Sequence, residues 1–408
     1  MKILHTADWH LGQLFHEYDR TFEHSRFLRW LINTAHTLEI DAMLISGDVF
    51  DVSNPSAVST SLYYNFLREI THALPKLQIV ITAGNHDSAT RLESPRALLE
   101  AFNVTVLGLI PRKEDNTVDY EKLIIPLRNK SGVRKAWCMA IPFLRMGDYP
   151  TIENATQPYS EGVCQFYSES YKFALSKQEN GEAIITMGHL HCLNAETSAN
   201  DKSERAIMGG IEFVSSSAFH PDIAYIALGH IHKAQRVGGR ENVRYSGSPI
   251  PMSFSELNYK HQVVVFDIEN GIADNIQAIE IPVTVELLRI PAKPKSFSDV
   301  LMELDFLPEA NPEKQLAPYL EVRVLLDGPE PSLRHKIEAA IENKQVRLTR
   351  IEVSYNKADE AESSNQTFTD LRQINPLDML SKTYLKKYNS EVPAELVSLF
   401  NEVSAEVG

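Results

Sequence analysis

The chain has 408 residues, 43% of them apolar, and a formal net charge of −14, which is more than one compact domain and predicts two or three units around a large core. Its three cysteines, Cys138, Cys164 and Cys192, have no C-x-x-C pairing, which argues against a disulfide framework or a thiolate zinc site and predicts reduced, structural thiols. With no run of roughly 18 apolar residues and no signal-type core in Met1-Lys2-Ile3-Leu4-His5-Thr6-Ala7-Asp8, the chain reads as cytoplasmic, with no membrane span.

Residues 2–6, rich in Ile and Leu, read as a buried strand. They lead into Asp8-Trp9-His10. Residues 22–38 carry Phe27, Leu28, Leu31 and Ile32 on one helical face. A second strand at 42–46 ends in Gly47-Asp48-Val49-Phe50-Asp51, and a helix at 57–73 stops before Pro75. The strand at 78–82 runs into Gly84-Asn85-His86-Asp87. Residues 160–175, aromatic and moderately polar, read as a segment that covers the domain. Strands at 183–187 and 223–228 precede Gly188-His189 and Gly229-His230-Ile231-His232. Residues 263–266 and 278–281 read as closing strands, which ends a layered α/β domain near Pro282.

From Val285 the Asp/His clusters stop, and prolines at 291, 294, 308, 312 and 318 punctuate the chain. Leu320, Val322 and Val324 alternate as a strand, Leu333, Ile337, Ala340 and Ile341 mark a helix, and Ile351, Val353 and Tyr355 mark another strand. This predicts a small α+β domain at 283–356, followed by a polar linker at 357–369. The tail, 370–408, holds two short amphipathic helices, one with Leu377, Leu380, Tyr384 and Leu385, the other with Leu396, Leu399, Phe400 and Val403. Neither is long enough to be stable alone. They either fold back on their own domain or dock a partner.

A buried His or Asp after one strand is most often a satisfied structural residue. Five such clusters in order, each closing a strand, point instead to a metal centre. Asp, Asn and His without Cys suit Mn²⁺, Mg²⁺, Fe²⁺ or Zn²⁺. Two ions sharing a carboxylate can clamp a phosphate and generate hydroxide, so phosphoester cleavage is the natural reaction. A glycine before four of the clusters permits sharp turns. His5 reads as buried and hydrogen-bonded, Trp9 as core or site floor, and His191 stays outside the metal set.

The order D-x-H, GD-x-x-D, GNHD, GH, GH-x-H resembles the calcineurin-like metallophosphoesterase superfamily. Asp8-Trp9-His10-Leu11-Gly12, Ala227-Leu228-Gly229-His230-Ile231-His232 and the segment from Tyr245 to Phe254, YSGSPIPMSF, resemble its SbcD branch of DNA double-strand-break-repair nucleases. The resemblance implies a layered β-sandwich domain flanked by helices, over residues 1–282, with a capping domain behind it. It implies that Asp8, His10, Asp48 and His232 hold one ion and Asp48, Asn85, His189 and His230 the other. His86 resembles the catalytic proton donor, with Asp87 holding its imidazole. Where relatives often carry a second histidine this chain has Asp51, which implies an orienting carboxylate.

The resemblance further implies an Mn²⁺-dependent exonuclease and endonuclease, with Mg²⁺ as the second choice, assembled as a homodimer with an SMC-type coiled-coil ATPase of the SbcC kind. There is no G-x-x-x-x-G-K-[ST] here, so ATP enters only through that partner. The acidic balance fits: roughly half of the excess lies after Leu301, and DNA affinity must be local, metal-assisted or lent by the partner. The rivals are a phosphomonoesterase or small-molecule phosphodiesterase on the same metals, disfavoured by Val52 where phosphatases commonly carry Arg, and a non-catalytic scaffold for the ATPase.

Overall fold

The computed structural model describes residues 1–179, 181–193, 195–196, 213–310, 316–328 and 330–355, with isolated positions 384, 392–393 and 396–397. The predicted linker, and all but those positions of the tail helices, lie outside the described residues. Two compact units divide the chain, Met1–Ser354 and Tyr355–Gly408. The architecture below is that of the first.

In chain order the sheet strands are β1 (Lys2–Thr6), β2 (Ala42–Ser46), β3 (Gln78–Thr82), β4 (Val104–Leu107), β5 (Ile124–Arg128), β6 (Arg134–Ala140), β7 (Ala183–His189), β8 (Tyr225–Gly229), β9 (Gln235–Val237), β10 (Arg240–Tyr245), β11 (Gln262–Glu269) and β12 (Ile272–Glu280). They form two six-stranded sheets, in the orders β12-β11-β1-β2-β3-β4 and β9-β10-β8-β7-β6-β5. Within the first, β1 to β4 are mutually parallel; within the second, β6, β7, β8 and β10 are. The five motif-bearing strands therefore belong to two sheets, three to one and two to the other.

Long apolar runs arise because β1, β2 and β3 are buried on both faces. Ile3, Leu44 and Val80 point into the core between the sheets. Their neighbours Leu4, Met43, Ile45, Ile79 and Ile81 point the opposite way, toward helices α1 (Thr21–Thr37) and α2 (Ala57–Ala73). Phe27, Leu28 and Leu31 bury the apolar face of α1, and the Ser56 hydroxyl caps α2 by accepting the Ser59 N–H. The segment at 160–175 belongs to a helix, α3 (Pro158–Lys177), whose Val163, Phe166 and Tyr167 close the core of the second sheet.

Behind the sandwich a three-stranded sheet, β13 (Leu287–Ser296), β14 (Tyr319–Leu326) and β15 (Arg347–Tyr355), packs with α4 (Phe297–Asp305) and α5 (Leu333–Ala340) around Val300, Leu304, Val322, Val324 and Ile337. This small α+β layer meets the sandwich at a buried joint. Tyr319 Oη donates to Glu23 Oε1 at 2.7 Å, and Arg20 grips the same carboxylate through two nitrogens at 3.0 and 2.6 Å.

Candidate metal centre

The carboxyl ends of β1, β2 and β3 meet those of β7 and β8 where the two sheets touch. Ser46 Oγ, at the end of β2, donates to the Ala227 carbonyl of β8 at 3.1 Å. The first motif is laced to the second by backbone bonds: Asp8 N–H to Gly47 O at 3.1 Å, His10 N–H to Asp48 O at 3.0 Å and Leu11 N–H to Val49 O at 2.9 Å. Asp8, His10, Asp48 and His230 all sit at positive φ, 54°, 45°, 49° and 102°. Such a backbone costs non-glycine residues on the order of 1–3 kcal/mol each and persists where the surroundings over-determine it, most often at functional sites.

The motif glycines serve close approach more than turning. Gly47 does have φ +85°, yet a Cβ there would also lie 2.2 Å from His189 Nδ1. At Gly84 a Cβ would lie 2.1 Å from Asp48 Oδ1.

Around Asp48 the donor atoms converge. His189 Nε2 lies 3.3 Å from Asp48 Oδ2 and 2.9 Å from Asn85 Oδ1, and His230 Nδ1 lies 3.0 Å from the same amide oxygen. This gathers Asp48, Asn85, His189 and His230. On the other side His10 Nε2 is 3.6 Å from Asp48 Oδ2, and ligand atoms of Asp8, His10 and His232 lie within 4.8 Å of one another. Further triplets of this kind are His10, Asp48 and His86, and Asp8, Asp48 and His189. All of these side chains except Asn85, which is half-buried, are buried.

Two observations test whether the set fits metal. Asp8 Oδ2 and His10 Nε2 are buried without a hydrogen-bond partner, a costly state that a cation between them would relieve. The imidazoles are also held from behind. His189 Nδ1 meets the Ser46 carbonyl at 2.9 Å and His232 Nδ1 meets Glu256 Oε1 at 3.3 Å, whereas His10 Nδ1 lies 3.3 Å from Asp51 Oδ1 without a hydrogen bond. An acceptor behind Nδ1 fixes the proton there and leaves the lone pair on Nε2, as metal-ligating histidines require. The residues fit a divalent pair.

Electrostatics agree. Burial works against the Asp48 carboxylate, but His189 and His10 outweigh it and hold Asp48 well below the usual carboxylate range. Burial likewise opposes charge on His189, yet the neighbouring Asp48 raises it to about 9. Asp8 is raised, chiefly by burial. The pocket attracts positive charge. His230, buried and beside His189, is pushed well below its ordinary value.

His86 lies at the edge of this cluster. Its backbone N–H donates to Asp48 Oδ1 at 2.8 Å, and its Nδ1 meets the Asp51 carbonyl at 2.7 Å. The expectation that Asp87 holds that imidazole is corrected: its carboxylate accepts the N–H groups of Gly84, Val49 and Phe50 at 2.9, 3.2 and 2.9 Å. Asp87 thus ties the second motif to the third. Burial and the nearby Asp48 raise it to about 6. Asp51 meets the His86 imidazole by its carbonyl, and its carboxylate lies 3.3 Å from His10 Nδ1 as a nearby charge.

Trp9 points away from the centre into the core, its ring edge-on to Phe27 and Phe66. His5 is buried, with Nδ1 3.1 Å from Tyr225 Oη. Glu256 was not anticipated. Its carboxylate is almost fully buried and also accepts the Met252 N–H at 3.0 Å; its one trace in the sequence is an acid following the polar YSGSPIPMSF run.

Comparison with known proteins decides the family. Residues 1–234 match the calcineurin-like phosphoesterase model, and residues 283–388 match a model described as the Type 5 capsule protein repressor C-terminal domain. The SbcD component of the Rhodobacter capsulatus SbcCD nuclease is 36% identical over 363 residues, 87% of each chain. The chain belongs to the SbcD family of calcineurin-like phosphoesterases. The corresponding protein of Escherichia coli K12 is 31% identical, covering 90% of this chain and 89% of its own, and that of Bacillus subtilis is 27% identical, covering 100% and 98%. Membership makes the chain a metal-dependent phosphodiester hydrolase of nuclease type.

Proposed function

We propose that this protein is the Mn²⁺-dependent DNA nuclease subunit of a complex with an SbcC-like SMC-type coiled-coil ATPase. In this reading residues 1–282 are the nuclease domain, 283–356 cap it, and 370–408, beyond a linker at 357–369, dock the ATPase. Asp8, His10, Asp48 and His232 hold one ion; Asp48, Asn85, His189 and His230 hold the other. The gathering of six nitrogen and oxygen ligand residues around the shared Asp48, with His86 fixed beside it, carries the reading.

When bound, the two ions supply a hydroxide nucleophile and neutralise charge on the phosphate. The protein's own part is orientation and proton delivery. The Ser46 carbonyl and Glu256 hold His189 and His232 in one tautomer. With Nδ1 protonated toward the Asp51 carbonyl, the imidazolium of His86 presents Nε2–H as the proton for the leaving oxygen. The products are a free hydroxyl and a phosphomonoester end. The reading extends to cytoplasmic action on DNA in repair, recombination and replication, by ATP-assisted double-strand exonuclease and single-strand or hairpin endonuclease cleavage, and to a homodimeric core within a heterotetramer; the likeness to the SbcD family supports it.

The test is a nuclease assay on the purified chain, with and without the co-purified ATPase, in Mn²⁺ and in Mg²⁺, beside His86→Gln. Metal-dependent cleavage of a single-stranded oligonucleotide is expected, lowered roughly 10²–10⁴-fold in the variant at unchanged metal content. Hydrolysis of a nitrophenyl phosphomonoester but not of DNA would move the protein to the phosphatases.

A further inference from the structure

The loop that follows β6 runs beside the third motif. Phe143 N–H donates to the Ala83 carbonyl at 2.8 Å, one residue before Gly84-Asn85-His86-Asp87, and the Phe143 ring stands edge-on to the His189 imidazole at 6.2 Å. Two residues on, Arg145 lies against the same loop. Its Nη2 is 3.4 Å from the carbonyls of both Gly84 and Asp87, the two residues that bracket Asn85 and His86, and its guanidinium lies over the Phe143 ring at 5.4 Å. The Arg145 backbone is pinned as well, its N–H donating to Asp148 Oδ2 at 2.8 Å.

What this guanidinium lacks is a counter-charge. Among the described residues no carboxylate lies within ion-pair distance of it, and its side-chain hydrogen bonds to them are two long ones from one nitrogen. A guanidinium carries five N–H donors, so most of its capacity faces outward from a half-buried position. The centre beside it is crowded with carboxylates. Asp8, Asp48 and Asp87 are buried there, and Asp51 turns its oxygen to His10; bound cations would be largely taken up in neutralising these carboxylates, so a guanidinium at the rim adds positive charge for an incoming phosphate. A planar fork of donors next to His86 is the complement of a phosphodiester oxygen.

We propose that Arg145 is a phosphate-binding residue of this centre, holding a non-bridging oxygen of the scissile phosphodiester beside His86. This rests on the phosphodiesterase reading of the site, and no bond in the chain changes: the side chain binds and stabilises charge.

The experiment uses the full chain loaded with Mn²⁺, as wild type, Arg145→Gln, Arg145→Lys and Arg128→Gln, the last an exposed arginine on β5. Mn²⁺ affinity and inorganic phosphate affinity are measured by titration calorimetry, and kcat and KM with bis-p-nitrophenyl phosphate and with a single-stranded oligonucleotide. Arg145→Gln is expected to weaken phosphate binding about 10- to 100-fold, the value of one or two charge-assisted hydrogen bonds, at unchanged Mn²⁺ affinity. Arg145→Lys should restore part of it, and Arg128→Gln should match wild type. Phosphate affinity within about twofold of wild type in Arg145→Gln, loss of Mn²⁺ in that variant, or no phosphate affinity in the wild type each overturns the inference. If phosphate binding depends on Arg145 but DNA is not cleaved, the inference stands and the DNA reading falls.

Discussion

Glu256 shows how a ligand can depend on a residue far outside the Asp/His clusters. Its Oε1 faces His232 Nδ1 at 3.3 Å while its Oε2 is held by the Met252 N–H at 3.0 Å, so the 3₁₀ turn Phe254–Glu256 sets the direction of an imidazole 24 positions away. Partners of this kind orient the ring and raise its basicity, and their loss typically costs 10- to 100-fold in metal affinity, by general experience on the order of 2 kcal/mol. Glu256→Gln should therefore weaken Mn²⁺ binding about 10-fold or more with little loss of stability, because the amide keeps an acceptor for Met252. Calorimetric titration beside a thermal melt reads both; unchanged affinity would remove Glu256 from the centre. The ligands were legible in the sequence because each lies at the end of an apolar strand or within four positions past it, where chain direction alone brings it to the rim. Glu256 and Arg145 were not, since each reaches the centre through tertiary packing that leaves no local period.

At the scale of elements, the joint between the sandwich and the small α+β layer is polar and buried. Arg20 and Glu23 are paired with side chains almost wholly out of solvent, Arg20 also donates to the Pro251 carbonyl at 2.5 Å, and Tyr319 Oη of β14 closes the set on Glu23. Removing one member of a buried pair leaves the other charge uncompensated, which costs roughly 3–5 kcal/mol, whereas replacing both by apolar groups is far less harmful. Arg20→Leu should lower the unfolding midpoint sharply, and Arg20→Leu with Glu23→Leu should recover part of the loss; additive losses in the double variant would show that the two act separately. The same layer shows where strand prediction stopped. β13 carries Pro291 and Pro294, which read as punctuation. It is an edge strand, where a missing N–H breaks no central ladder. β1, β2 and β3 were legible over their full length because both faces are buried. In β5 the buried positions Ile124 and Leu127 lie three apart, with half-buried Ile125 and Pro126 between them, a spacing that does not match the two-residue period of a strand.

For the molecule as a whole, the two-core arrangement buries histidines that have no part in the metal centre, and this makes its stability depend on pH. Burial pushes His5 down to about 3, and burial together with Arg20 does the same to His24. Both are neutral in the folded protein through the range where an unfolded histidine, near 6.5, takes up a proton. Between those values the unfolded chain binds more protons than the folded one, so stability rises with pH; each histidine contributes a slope of up to about 1.4 kcal/mol per pH unit. The contribution is complete above pH 6.5 and is lost as pH falls toward 3. His5 lies in β1, its Nδ1 against Tyr225 Oη of β8, so its protonation would place a charge between the two sheets. A glutamine can keep a hydrogen bond to that hydroxyl without titrating. With metal removed by chelator from both proteins, His5→Gln should lose less stability than wild type between pH 7 and pH 5, even if it begins lower. Every carboxylate and every other histidine is common to the two, so the difference between their curves isolates His5. Curves that stay parallel across that window, read as urea midpoints, would mean that His5 takes up its proton alike in the folded and the unfolded chain, and acid sensitivity would then have to come from His24 or from the metal ligands.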